Sequence, residues 1–228
     1  NVEISMVKVP ADTLVMGSIS PEAASDEFPL LTIFVPSFLI STTEVTQAQW
    51  QMIYPVTPSQ FRDPKLPVEN VTFYDAIEFC NAKSLKDGLK PAYDYYGTEI
   101  ICDFESNGYR LPTEAEWELA AKAGIGKNFQ LFSGSADAND IGWFNRNSGA
   151  KTNPVGSKTP NALGIHDMSG NVYEWVWNWY APYTFNVTNL LSGPTNGIDK
   201  VLRGGSWYHP ENDMRTTARH HEIGRAHI

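Results

Sequence analysis

Hydrophobic and polar residues alternate over the first forty positions in a pattern that predicts short strands. The stretch from Val2 to Met16 alternates around Pro10, which indicates an interrupted strand at a sheet edge, because proline cannot donate a ladder hydrogen bond. The run from Leu30 to Ile40 is rich in β-branched and aromatic residues and predicts a core strand broken at Pro36. The polar acidic stretch between them, Ser18 to Pro29, is predicted to be a loop.

Three later stretches show helical spacing instead. Each opens on a threonine that is followed three positions later by Gln, Asp or Glu, the pattern of a capped helix start. The predicted helices begin after Thr46, Thr72 and Thr113 and stop before Pro55, before Gly88 and at Gly124. The apolar face of the second helix includes Cys80, so we expect this thiol to point inward.

Outside these elements, Gly, Asn, Pro and Ser interrupt nearly every short apolar run. Tryptophans concentrate near the end of the chain at Trp175, Trp177, Trp179 and Trp207. Such rings bury large areas and suit a core laced with polar groups, although an aromatic cluster also suits a sugar or peptide site. Few regular elements around one aromatic centre predict a compact, loop-rich α+β domain.

Composition bounds the class of function. The 228 residues are 42% hydrophobic, enough for one large domain, and we take 1–228 as a single unit. A net charge of −9 argues against nucleic acid and against an anionic membrane surface as partners. No apolar run approaches the roughly 20 residues of a membrane-spanning helix. The two cysteines, Cys80 and Cys102, permit one disulfide, but free buried thiols are the simpler expectation.

The charge is distributed unevenly. The stretch from Asp199 to Ile228 carries a formal charge of +1 and four of the five histidines. It begins with the segment Leu202 to Trp207, in which two adjacent glycines permit a tight turn.

After this turn the residues are compact and polar or amphipathic, which is typical of an exposed recognition surface. An ordinary polar loop with an edge strand is the alternative interpretation. The candidate ligand-binding residues are Trp207, Tyr208, His209, Asn212, Asp213, Arg215, Arg219, His220 and His221.

Three motifs stand out along the chain, Asn107 to Glu118 (NGYRLPTEAEWE), Asp167 to Trp175 (DMSGNVYEW) and Leu202 to Trp207 (LRGGSW). Together with shorter matches that precede them in the same order, they resemble the motifs of the formylglycine-generating enzyme (sulfatase-modifying factor) family. The resemblance implies a variant of the C-type lectin fold with little regular secondary structure. That implication agrees with the loop-rich α+β expectation.

The resemblance also implies what a catalytic member needs, a cysteine pair shortly after the Gly-Gly-Ser segment that binds copper and activates oxygen. Thiolates suit Cu(I) because both are soft. Here the matching positions hold His209 and Met214, so we expect no catalytic residues, no catalytic cofactor and no enzyme activity. Imidazole and thioether alone would make a poor copper site.

A structural calcium ion is a further implication of the family likeness. The matching ligands here are Asn171 and Glu174, with nearby backbone carbonyls, and hard oxygen ligands suit Ca²⁺. The alternative is that Asn171 caps the turn and Glu174 pairs with a buried arginine such as Arg110 or Arg203.

Some phage and bacterial proteins of this family are variable proteins of diversity-generating retroelements, in which adenines of a template are randomised and the final segment of the protein varies. Asparagine codons in such a template yield Asn, Tyr, His, Asp, Ser and Thr among others. Residues of that set follow Trp207 at Tyr208, His209, Asn212, Asp213, His220 and His221. The resemblance then implies a non-catalytic recognition protein in which 201–228 is the variable segment.

We expect its ligand to be a protein or another macromolecule, and the domain itself to be a monomer. We expect it outside the cell or at the cell surface, held there by any lipid anchor upstream of Asn1. The alternatives are a divergent oxidase or accessory enzyme of the same family, and a purely structural assembly domain.

Overall fold

A computed structural model describes residues 2–97, 99–123, 130–184 and 191–223. Its strands are short and pair into small antiparallel sheets joined by long ordered loops, as an α+β chain with frequent Gly and Pro predicts. The strands are β1 (Met6–Val9), β2 (Asp12–Met16), β3 (Leu31–Val35), β4 (Phe38–Ser41), β5 (Tyr93–Tyr96), β6 (Glu99–Cys102), β7 (Glu174–Trp179), β8 (Lys200–Arg203) and β9 (His220–Glu222).

The two strand interruptions predicted near the N-terminus are confirmed. Pro10 lies between β1 and β2, and Pro36 lies between β3 and β4. At each break the chain changes sheet, because β1 pairs with β4 while β2 pairs with β3. The inward face of β3 buries Leu31, Ile33 and Val35, which belong to the main hydrophobic core.

The three predicted helix starts are also confirmed. Each threonine accepts a hydrogen bond from a backbone N–H three positions on, and the side chain there accepts one back. The helices are α1 (Gln47–Trp50), α2 (Phe73–Lys86), α3 (Glu114–Ala121) and α4 (Ala138–Ile141). The predicted stop at Gly124 lies outside the described residues. Among the helices that the structure describes, none is long and apolar enough to cross a bilayer.

The centre of the molecule is α3. All eight of its residues are buried, including the ring of Trp117. Buried carboxylates need partners, and each of the three glutamates of α3 meets an arginine. Glu116 pairs with Arg110, while Glu114 and Glu118 face the C-terminal segment of the chain.

The C-terminal segment, residues 201–223, is attached to the core through the three-stranded sheet β7-β8-β9. In its register Glu174 lies opposite Arg203 and Leu202 lies opposite His220. The sheet therefore holds both ends of the loop that follows β8, and the residues of that loop form the candidate site.

Candidate recognition site

The C-terminal segment, residues 201–223, divides into buried and exposed parts. Residues 201–206 and 214–218 are buried. Between and after them lie residues that are exposed or half-buried, and Tyr208 has 67% of its surface exposed. We call the exposed set the C-terminal face; it comprises Trp207, Tyr208, His209, Asn212, Asp213, His220 and His221.

Two arginines that we predicted in the recognition surface do not belong to the C-terminal face. Arg215 is 2% exposed, and both its terminal nitrogens donate to the buried Glu27 carboxylate, at 2.7 and 2.9 Å. The side chain of Arg219 is 1% exposed and donates to both oxygens of Glu114. The expectation of exposure is wrong for both residues, since each guanidinium neutralises a carboxylate inside the protein.

Arg203 completes this buried set of arginines. One of its terminal nitrogens lies 2.5 Å from Glu118 Oε2, and the other donates to the carbonyls of Thr217 and Ala218. A planar guanidinium with several donors can satisfy a carboxylate and several carbonyls together. Arg203 thereby joins β8 to the returning chain just before β9. We call Arg203, Arg215 and Arg219, with the carboxylates they meet, the buried frame.

The Gly-Gly turn places the C-terminal face against a neighbouring loop. Gly204 and Gly205 have φ of +92° and +76°, conformations that other residues rarely adopt, so the predicted need for two glycines here is met. The Gly204 carbonyl accepts from the Gly170 N–H at 2.7 Å, and the Trp207 N–H donates to the Asn171 carbonyl at 2.7 Å. These two bonds fix where the face begins.

Aromatic rings from other parts of the chain support the face. Phe61 contacts Trp207 edge to face with ring centroids 5.5 Å apart. Tyr173 contacts His209 at 4.9 Å and stacks on His220 at 5.0 Å. Ring contacts of this kind restrict side-chain rotation in the free protein, so these side chains lose little further entropy when a ligand binds. Tyr173 lies within the aromatic region that the sequence singled out, whereas no local pattern distinguished Phe61.

The residues at the family's cysteine positions have different environments. His209 is half-buried, and its Nδ1 lies 2.6 Å from Ser206 Oγ. Burial lowers the pKa of this imidazole, so His209 is neutral at physiological pH. Met214 is fully buried, and its side chain lies against Gly170 and Gly205. Within the ranges that the structure describes, no three His, Cys, Asp or Glu side chains group closely enough to hold a metal ion.

The two predicted calcium ligands, Asn171 and Glu174, have different surroundings. The Asn171 side-chain oxygen accepts from the Asn153 N–H at 2.9 Å, which occupies one of its two lone pairs. The Glu174 Oε2 accepts a hydrogen bond from the Trp117 ring N–H, and burial raises the pKa of the Glu174 carboxyl to about 7. A cation bound beside this carboxyl would lower its pKa again. Near it lies Asp167, which is 2% exposed and has one oxygen that makes no hydrogen bond to any described residue. Calcium held by Asn171, Glu174 and backbone carbonyls stays a prediction, and Asp167 is a further carboxylate close to that site.

Neither alternative pairing with Arg110 or Arg203 holds for Glu174, because those arginines pair with Glu116 and Glu118. Cys80 and Cys102 are both free and pack against the cluster around Tyr93 and Trp175. Burial raises the pKa of both thiols to about 12, which keeps them protonated and unreactive.

Known proteins of similar sequence and structure support this fold. The solved structure of Treponema denticola variable protein 1 superposes with a TM-score of 0.88 at 32% identity, covering 96% of this chain and 90% of that one. The chaperone protein LppX of Paenibacillus barcinonensis is 37% identical over 208 residues, 77% of this chain and 71% of LppX. The formylglycine-generating enzyme of Streptomyces coelicolor is 38% identical over 115 residues, 44% of this chain and 36% of the enzyme.

The chain is also similar to chlamydial serine/threonine-protein kinases but spans only 33% of the length of the one from Chlamydia caviae. The predicted fold, α+β with few helices and short strands, is that of the solved neighbours. The model of the sulfatase-modifying factor enzyme 1-like domain matches residues 2–227. The chain therefore belongs to the family of sulfatase-modifying factor enzyme 1-like domains.

Proposed function

We propose that this chain is a non-catalytic ligand-binding protein and that the C-terminal face is its binding surface. The observation that carries the proposal is that one short segment contains two kinds of side chain, one at the surface and one buried in ion pairs. Of the residue types that a randomised asparagine codon produces, the tyrosine, histidine, asparagine and aspartate side chains, such as Tyr208, Asn212 and His220, are exposed or half-buried, whereas the smaller Thr216 and Thr217 are buried. The interleaved arginines are buried and paired to carboxylates elsewhere in the chain. Exposed positions can vary without disturbing packing.

The geometry of the C-terminal face favours recognition. Its rings are braced by Phe61, Tyr173 and Tyr180, and Tyr180 stacks on His221 with centroids 3.9 Å apart. Rigid rings combined with small polar groups bind partners at low entropic cost. The likeness to a variable protein of Treponema denticola supports the same assignment. We extend it to a protein or other macromolecular ligand and to display outside the cell or on its surface.

The proposal is tested by panning a random peptide display library on the purified chain and sequencing the retained peptides. A matched pair of variants separates specific capture from background. Tyr208→Ala alters the C-terminal face, whereas Tyr96→Ala removes a tyrosine of similar exposure, 63%, from the β5-β6 hairpin. We expect peptides that bind wild type and Tyr96→Ala but not Tyr208→Ala. If every retained peptide binds Tyr208→Ala equally well, the C-terminal face is not the binding surface.

A divergent oxidase or accessory enzyme is the second candidate, because a formylglycine-generating enzyme is among the relatives. Such an activity would need redox chemistry near His209. Copper titration, followed by oxygen uptake with a cysteine-containing peptide, tests it directly. We expect neither stoichiometric copper binding nor thiol-dependent oxygen consumption; observing both would replace the recognition assignment with an enzymatic one.

A further inference from the structure

The distribution of charge around the C-terminal face indicates which ligands suit it, given the binding function proposed above. By formal count, residues 199–223 carry as many cations as carboxylates. The structure places every one of these cations in the interior. The buried cations are Lys200, Arg203 and Arg215, exposed by 6%, 0% and 2%, and Arg219, whose side chain is 1% exposed.

None of these four cations contributes a free positive charge to the surface. The three arginines are neutralised by the glutamates of the buried frame. Lys200 Nζ donates to the Trp177 carbonyl and lies 4.4 Å, 4.5 Å and 3.9 Å from the ring centroids of Phe73, Trp177 and Trp179. Burial lowers its pKa to about 7, so much of its charge is lost at neutral pH.

The carboxylates of the same stretch stay at or near the surface. Asp199, Glu211, Asp213 and Glu222 are all half-buried. Arg146 lies 3.5 Å from Glu211 and offsets that one charge. Arg62, near the Phe61 edge, is exposed and donates to the Thr57 carbonyl. Asp199 lies 2.6 Å from His221 Nδ1, so Asp213 and the neighbouring Glu222 carry the charge that remains. Among the described residues 199–223 the surface balance is therefore negative, whereas their formal count is zero.

A buried polar atom without a partner points to a ligand at the same place. Tyr173 is 7% exposed, its ring contacts His209 and His220, and its hydroxyl lies beside the Asp213 carboxylate without a hydrogen bond of normal geometry to any residue that the structure describes. Burial and the nearby Asp213 carboxylate raise the pKa of this hydroxyl, so it stays protonated. Its oxygen is free to accept from a ligand N–H, and buried polar groups generally have such a partner.

We propose that the C-terminal face binds a cationic segment of a protein, presented as lysine or arginine side chains. Asp213 and the Tyr173 oxygen would accept from the ammonium or guanidinium group. The rings of Trp207 and Tyr208, 5.5 Å apart and partly exposed, would meet the same cation over their faces. Carboxylates beside aromatic rings attract cations and disfavour acidic partners through like-charge repulsion.

The peptide panning described above supplies the test. Among peptides whose binding is lost in Tyr208→Ala, we expect Lys and Arg to be enriched over Asp and Glu. One enriched peptide is then titrated against Asp213→Asn and against Asp94→Asn, an exposed acid on β5 that serves as the control. Asp213→Asn should weaken binding about fivefold, the effect of one partly exposed charge pair, while Asp94→Asn should leave it unchanged. Affinity should also fall as salt is raised.

The outcomes separate this inference from the function on which it rests. If Tyr208-dependent peptides are retained but are neutral or acidic, the charge inference fails while ligand binding stands. If the enriched peptide binds Asp213→Asn as well as wild type and ignores salt, the inference fails in the same way. If no peptide depends on Tyr208, the proposed function itself fails.

Discussion

Breaking the buried Arg215–Glu27 pair should destabilise the protein far more than changing the C-terminal face. Glu27 is 0% exposed, and both its oxygens accept from Arg215. Replacing Arg215 with Met leaves that carboxylate buried, with the Ala24 N–H as a backbone donor. Removing one partner of such a pair costs about 3 to 5 kcal/mol of unfolding free energy. For a chain of this size the melting temperature should fall by roughly 6 to 20 °C.

The assay is urea unfolding followed by tryptophan fluorescence, with two controls. Tyr208→Ala, at a position 67% exposed, should change the unfolding free energy by less than about 1 kcal/mol. Replacing Glu27 and Arg215 together with Met should recover most of the loss, because a pair of apolar residues leaves no uncompensated charge. If Arg215→Met and Tyr208→Ala are equally stable, the distinction between buried frame and C-terminal face is wrong.

The pKa shifts and the calcium assignment support three further predictions. The pKa values of Glu27 and Glu114 are lowered from 4.5, so their ion pairs stabilise the fold above pH 4.5, and this stability is lost as the pH falls through the lowered pKa values. The unfolding free energy, measured against pH, should therefore decline in acid, and Glu27→Gln should make that decline smaller. Cys80 and Cys102, protonated at pH 8, should resist a maleimide in the native state and react after unfolding, and fast native labelling would contradict their burial. Calcium should raise the melting temperature, chelation should lower it, and Glu174→Gln should abolish the response; a melting temperature that does not change with calcium would contradict the predicted site at Asn171 and Glu174.

The local parts of the fold could be predicted from the sequence because their causes are local. Pro10 and Pro36 interrupt their strands whatever the rest of the fold, because a proline nitrogen carries no hydrogen to donate to a neighbouring strand. Each helix start depends on a threonine and a side chain only three positions away. The position of the C-terminal face could be predicted for a similar reason, because two glycines followed by compact polar residues indicate a turn into a surface segment.

The arginines were mispredicted because their partners are distant in sequence. Arg215 meets a glutamate 188 positions earlier, and Arg219 meets one 105 positions earlier. Composition alone cannot show whether an arginine in a polar segment points outward or into a buried carboxylate. These long-range pairs also withdraw the arginine charges from the surface, which a formal count of charges cannot show.

The central claim, a replaceable face on a fixed buried frame, is tested most directly by randomising each part separately. One display library varies Tyr208, Asn212, His220 and His221, and a second varies Glu27 and Arg215. The measurement is the fraction of each library that survives protease treatment. We predict that most members of the first library survive and that few members of the second do. Equal survival of the two libraries, or loss of most of the first, would contradict the claim.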